Sequence, residues 1–268
     1  FTLCLVLILG CRVALSLTVA AMGVWLWGFE QRRWYGAIAV GLGLGWFLLA
    51  TQLVIPYFRP GGVESVWRFA YLGNSLTEIG LNLVLKPHLV VPVLLTWKNL
   101  EYLLLLLAPV LWGLSLAHLA PLLPTIPTLA MNLLSTMETQ KDLLHQYSLP
   151  VVPFLLLATI AALSNGKGLL QRPRYIILYA LVGFFALAKI EYFGSRYLSS
   201  LDTWQATRTA LAQIDSPGNI LTTAYVVPHV THRANVQVTI RGTEDDDLSQ
   251  FHYVLLNLRH PGWMSDRI

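Results

Sequence analysis

Trp34-Tyr35-Gly36-Ala37-Ile38-Ala39-Val40-Gly41-Leu42-Gly43-Leu44-Gly45-Trp46-Phe47-Leu48-Leu49-Ala50-Thr51-Gln52-Leu53-Val54-Ile55 is free of charged side chains from end to end. A helix needs roughly 20 apolar residues to cross about 30 Å of hydrocarbon, so residues 34–55 read as a membrane span. The three glycines spaced two apart resemble part of a dinucleotide loop, but no strand precedes them and the apolar run encloses them. Helix packing is the better reading, with Gly41 and Gly45 presenting a small face to a neighbouring helix.

Working outward, further candidate spans fall near 11–28, 99–117, 122–136, 149–164 and 175–193, six in all with 34–55. The run 1–28 is too long for one upright helix and is interrupted at Gly10-Cys11-Arg12, so residues 1–9 are expected to finish an earlier span. Phe1 opens in mid-run without a charged lead or a cleavage site, and the chain is expected to be the later part of a longer protein. Of 268 residues, 55% are hydrophobic and 12% charged, with a mean hydropathy of +0.58. That charged fraction is about half the usual one, which excludes a water-soluble globule for most of the length.

Charge then sets an expected orientation. Arg32 and Arg33 in the turn 29–33, and Lys167, Arg172 and Arg174 in the turn 165–174, belong on the cytoplasmic side by the positive-inside rule. Loops 56–98 and 137–148 and the tail then face outside the plasma membrane. Trp25, Trp27, Trp34, Tyr35, Tyr57, Trp97, Tyr102, Tyr175 and Tyr192 lie near the expected span ends, where amphipathic rings favour the headgroup layer. The net charge of +4 comes from the apolar part and leaves no nucleic-acid footprint. Cys4 and Cys11 are too few and too deep in apolar sequence for a disulfide framework.

The expected organisation is a helical polytopic membrane domain over 1–194 and a small α/β domain over 195–268. In the latter, Asp202 to Ile214 reads as a helix capped by Ser200 or Asp202 and stopped by Pro217-Gly218. Ile220–Thr223, Val236–Ile240 and Tyr253–Leu258 read as strands.

Candidate site residues come from the outer loops and the first break. Arg12 is an ionisable group at the edge of an apolar segment, where it snorkels or binds a lipid phosphate through its guanidinium fork. Loop 56–98 carries Arg59, Arg68, Lys86 and His88 among apolar residues, and Leu81–Trp97 is apolar enough to lie on or dip into the membrane. Loop 137–148 places Glu138, Lys141, Asp142, His145 and Tyr147 in one short segment, a composition that serves acid–base chemistry or a solvated connection equally well. In the tail, His229 and His232 and the acidic run Glu244–Asp247 offer metal-type ligands, but no third ligand is fixed by spacing. A surface turn and a solvated acidic loop are preferred there, and no metal or other cofactor is assigned.

The run Thr128-Leu129-Ala130-Met131-Asn132-Leu133-Leu134-Ser135, followed by Gln140 and by His145-Gln146-Tyr147-Ser148-Leu149-Pro150-Val151-Val152-Pro153-Phe154, resembles the bacterial predicted-membrane-protein family called domain of unknown function 2079. Cys11-Arg12-Val13-Ala14-Leu15-Ser16-Leu17-Thr18 is similar to that family's basic segment opening a span. Pro228-His229-Val230-Thr231-His232-Arg233 is similar to its Pro-His turn after the membrane part. The resemblance covers nearly the whole chain, as the family's C-terminal half. It implies kinship with the C-type (GT-C) glycosyltransferases, which transfer a sugar from a polyprenyl-phosphate carrier on the outer face of the membrane. In those enzymes the catalytic acid lies in a first outer loop, which this chain does not contain, and Val13 and Ala14 stand where many relatives carry acids. On this reading Arg12, Arg59 and Lys86 would meet the lipid phosphate, and His145 and Tyr147 the sugar or acceptor. A non-catalytic membrane protein with an extracytoplasmic binding domain is the alternative, and a transporter ranks last because no paired broken helices are apparent.

Overall fold

The computed structural model describes residues 1–240, 247–263 and 265. The chain divides into two compact units, Phe1–Phe184 and Phe185–Ile268.

The first unit opens with three apolar helices, α1 (Thr2–Cys11), α2 (Leu15–Gly28) and α3 (Arg33–Phe58). Arg12 ends α1 with extended backbone at φ −162° and ψ 132°. The turn after α2 closes with Gln31 in the left-handed region at φ 55°, and the Arg32 amide reaches back to the Leu26 carbonyl. α2 and α3 pack backbone to backbone. A Cβ placed on Gly43 would lie 2.5 Å from the Ser16 carbonyl oxygen, and one on Gly36 would lie 2.7 Å from that of Gly23. Gly41 and Gly45, expected at this seam, meet nothing within 4 Å. The helix period explains the correction: Gly36, buried Ala39 and Gly43 share a stripe at spacings of three and four, while Gly41 and Gly45 lie off it. Leu5, Leu9, Val19 and Ala39 form the core of this trio, with Trp46 packed against it.

Residues 50–54 of α3 wind as a π-turn before the helix resumes at Ile55–Phe58. Two local causes coincide there. Pro56 has no N–H and crowds the Gln52 carbonyl, while the Thr51 hydroxyl donates to the Phe47 carbonyl at 2.7 Å.

The six expected spans are not what the chain forms. α3 is the one helix among the described residues that is long and apolar enough to cross a membrane by itself, and three spans result if two bent pairs each count as one. The other runs are cut short by their own residues. α4 (Leu76–Leu85) and α5 (Pro87–Leu94) meet at 89°, because Pro87 forces Lys86 out of helical backbone. α6 (Trp97–Leu107) gives way to 3-10 turns after Pro109. Pro121 and Pro124 confine the next segment to a 3-10 turn followed by α7 (Ile126–Leu134), and α8 (Val152–Ser164) is too short to span alone. α9 (Pro173–Leu187) and α10 (Ile190–Ser199) reach span length only together, across Lys189 at φ 47°.

Sequence-local signals place several ends. Ser75 caps α4 by accepting from the Glu78 amide, whose carboxylate accepts in turn from the Asn74 amide at 2.8 Å. Tyr102, Leu106, Val151 and Leu155 join α6 to α8, and Leu72, Val90 and Leu134 join loop 56–98 to α7.

The second unit continues with α11 (Leu201–Leu211) and a small parallel sheet in the order β2-β1-β3, formed by β1 (Ile220–Thr222), β2 (Val236–Val238) and β3 (Tyr253–Leu255). Ile220 lies opposite Val236 on one side and Tyr253 on the other. β1 is buried along its length, as a central parallel strand must be. Arg233 donates to the Ser216 and Gly218 carbonyls and so holds the turn that launches β1.

Candidate functional site

The non-helical link between α1 and α2 frees Arg12 from the regular helix surface. Its guanidinium carbon lies over the ring of Tyr147, 5.1 Å from the centroid. Tyr147 sits in a 3-10 turn, Gln146–Ser148, just before Pro150. A second guanidinium, that of Arg68 in the 3-10 segment Glu64–Phe69, lies 5.5 Å from the same centroid. Neither arginine forms an ion pair among the described residues. Each guanidinium gains about 0.5–2 kcal/mol of cation–π attraction from the ring, and the two like charges gathered there favour an anion between or beside them.

Behind the ring runs a chain of hydrogen bonds whose direction the arginine sets. Arg68 Nη1 can only donate, so it meets the Gln140 Oε1 at 3.2 Å. The Gln140 amide nitrogen then donates to Asn132 Oδ1 at 3.2 Å, and Asn132 Nδ2 donates to the Tyr102 hydroxyl at 2.9 Å and the Tyr147 carbonyl at 3.2 Å. Tyr102, having accepted, passes its own proton toward Ser148 Oγ at 3.0 Å. Gln140, Asn132, Tyr102 and Ser148 are all buried, so each depends on the next for its hydrogen bonds. A bond between the Thr18 and Thr128 hydroxyls at 2.9 Å fixes α2 against α7 beside this chain. Arg68 Nε is buried and has no partner, which leaves one donor of the fork unspent.

A notch of about 30 Å³ opens between Arg12, Leu15, Thr128, Asn132, Gln140 and Tyr147. It admits a small polar group, not a sugar ring. Among the described residues no carboxylate lines it and Arg12 does, so its electrostatic preference is for an anion. In loop 137–148, Glu138 is held below its ordinary carboxylate value by the hydrogen bond from Lys98, and Lys141 is lowered chiefly by burial.

A family model described as predicted membrane protein (DUF2079) matches residues 1–268. The chain belongs to this family. No curated protein and no solved structure matches it.

In this DUF2079 chain the residues expected from sequence fall in different places. Arg12 and Tyr147 come together. Arg59 does not line the notch and is paired with Glu64 at 2.5 Å, which raises the arginine and lowers the carboxylate. Lys86 stands exposed at the corner between α4 and α5. His145 Nδ1 meets Asp142 Oδ1 at 2.7 Å at the surface, its ring 6.5 Å from that of Tyr147. Tyr102, read from sequence as a headgroup-layer ring, is instead 1% exposed and central to the polar chain.

Arg68 reads from sequence only as one of the cations of loop 56–98, and Asn132, Gln140 and Ser148 only as part of the family-like motif, with no role at the site for any of them. An asparagine within the largely apolar Ile126–Leu134 was the available signal, because such a group demands partners. In the second unit, no group of three His, Cys, Asp or Glu residues is placed to hold a metal among the described residues. His229 and His232 lie in and just after a 3-10 turn. Of the acidic run, Glu244, Asp245 and Asp246 lie outside the described residues, and Asp247 accepts from the Ser249 amide as a cap. Cys4 and Cys11 are free thiols.

Proposed function

We propose that this DUF2079 chain binds the phosphate of a membrane lipid at Arg12 and Arg68, as part of a glycosyltransferase-like protein that takes a sugar from a polyprenyl-phosphate donor. One observation carries the phosphate assignment: two guanidiniums share the Tyr147 ring with no carboxylate paired to either. A phosphate oxygen fits the notch beside Arg12 in size and sign, with Arg68 over the Tyr147 ring but outside the notch lining, and the sugar and the lipid chain would lie outside the notch. The sugar-transfer part of the reading rests on the resemblance to the GT-C enzymes. In such a transfer the acceptor oxygen bonds to the anomeric carbon, the bond from that carbon to phosphate oxygen breaks, and the phosphate leaves with the electron pair. Arginines at that phosphate would stabilise the charge as it develops. The cationic turns at Arg32-Arg33 and at Lys167, Arg172 and Arg174 support a cytoplasmic position for those turns, in a bacterial plasma membrane with the second unit outside.

Binding without catalysis is the second reading, favoured by a notch that no acid lines among the described residues. Both readings are tested by titrating the protein in lipid nanodiscs with undecaprenyl phosphate and with its glucosyl form. The expected result is saturable binding of both, weakened at least about tenfold in Arg68→Ala. Undiminished binding in Arg12→Ala and Arg68→Ala would remove the site. Sugar release on addition of an acceptor would favour transfer over simple binding.

A further inference from the structure

The second unit contains a cleft of its own, built without any residue of the notch. It encloses about 540 Å³ between α10, α11, the end of β1 and the segment after β3, a volume in the range of small-molecule sites. Five aromatic rings line it: Phe193, Tyr197, Trp204, Tyr225 and Trp263. Trp263 and Tyr197 are 79% and 67% exposed, so large flat apolar surfaces face solvent instead of packing into a core. Between them stand Arg196, Arg259, His229 and His260, with the hydroxyls of Ser199, Ser200 and Thr203 and the amide of Asn257.

The wall that carries Trp263 is held in place by the fold. Gly262 adopts φ +98°, and a Cβ there would lie 2.9 Å from both the Ala224 side chain and the Tyr225 ring. Its neighbours are latched to the end of β1: the Tyr225 amide donates to the Pro261 carbonyl, and the Ala224 amide to Ser265 Oγ at 3.1 Å. The His260 amide is capped by Asn257 Oδ1 at 2.9 Å, and His260 Nε2 is buried with no hydrogen-bond partner among the described residues. Asp202 is engaged by Arg259 and by the Thr203 amide, and among the described residues no acidic group lines the cleft.

Exposed rings suit the C–H faces of a sugar, hydroxyl and amide groups suit its hydroxyls, and the guanidinium of Arg196, which donates to the Tyr192 hydroxyl and has no ion pair among the described residues, suits an attached anion together with the imidazoles. We infer that the second unit binds a saccharide that carries a phosphate or carboxylate group. The site is distinct from the lipid-phosphate notch and stands whether or not that reading holds. The anionic sugar can be a soluble molecule or the headgroup of a glycolipid, and the two are separated by the ligand presented.

Calorimetric titration of the full chain in detergent micelles, with glucose 1-phosphate, glucuronate, glucose and inorganic phosphate as separate probes, tests the assignment. Saturable binding of glucose 1-phosphate or glucuronate is expected, with glucose and phosphate alone weaker by about tenfold or more, since each lacks one half of the recognition. Trp263→Ala and Arg196→Ala should each weaken the anionic sugar by about tenfold, whereas Arg68→Ala leaves it unchanged. Trp263 is exposed enough that its loss leaves the fold in place, and an unaltered melting curve checks this. A soluble source predicts the same affinity with nanodiscs of neutral phosphatidylcholine as with micelles; a headgroup source predicts tighter binding of vesicles bearing a glucuronosyl glycolipid than of free glucuronate. Equal affinity for inorganic phosphate and glucose 1-phosphate, or a response unchanged in Trp263→Ala, would overturn the proposal, as would the absence of saturation with every anionic sugar.

Discussion

At the scale of single residues, the amide of Asn132 is the pivot of the first unit. It accepts from Gln140 and donates to Tyr102 and Tyr147, and it is buried. Asn132→Leu keeps the volume but strands the Gln140 amide and the Tyr147 carbonyl, at about 1–3 kcal/mol for each group left unpaired. Thermal unfolding in detergent should show this as a clear drop in melting temperature; a variant as stable as the parent would mean that water takes over these bonds. The motif containing Asn132, Gln140 and Ser148 was legible in the sequence as a family resemblance, and Arg12 and Tyr147 were legible as chemistry. Arg68 was legible only as one cation of loop 56–98, with nothing in the sequence to set it apart from Arg59. What separates them is that Glu64 engages Arg59 in an ion pair, while the Arg68 side chain folds back onto Gln140.

At the scale of elements, the α2–α3 seam and the loop beside α6 each make a prediction. Gly43→Ala puts a methyl group against backbone atoms of Ser16 and Ala20, so the helices must part, costing about 1–3 kcal/mol. Gly41→Ala meets open space and is expected to be neutral, or stabilising by up to about 1 kcal/mol through helix propensity. Paired melting curves of the two variants check the seam, and a Gly43→Ala protein as stable as Gly41→Ala would refute it. Glu138, its carboxyl lowered by Lys98, contributes stability that is present above its ordinary value of 4.5 and is lost as pH falls through the depressed value. The difference in melting temperature between the parent and Glu138→Gln should therefore shrink toward zero on acidification. It should be small throughout, since the pair is exposed. The three strands and the tail helix were legible from β-branched runs and turn signals. Span lengths were not, because mean apolarity does not register where Pro87, Pro109, Pro121 and Pro124 interrupt the backbone.

At the scale of the whole molecule, the chain combines an apolar helical unit having a cationic notch with an α/β unit having an aromatic cleft. The proposed orientation is open to a direct test. With Cys4 and Cys11 replaced by serine, a single cysteine at exposed Asp215 should react with a membrane-impermeant maleimide added to intact cells, and one at exposed Lys167 should react only after lysis. The reverse pattern would invert the topology. Among the described residues, the one helix able to span by itself carries a π-turn at Ala50–Val54, and that turn acts as a phase shifter. One extra residue per turn rotates everything after it by about 100° relative to everything before. The Gly36–Gly43 seam and the aromatic end at Tyr57 and Phe58 are thus aimed independently, and deleting one residue between 50 and 54 would leave the first in place while swinging the second onto a different side of the helix.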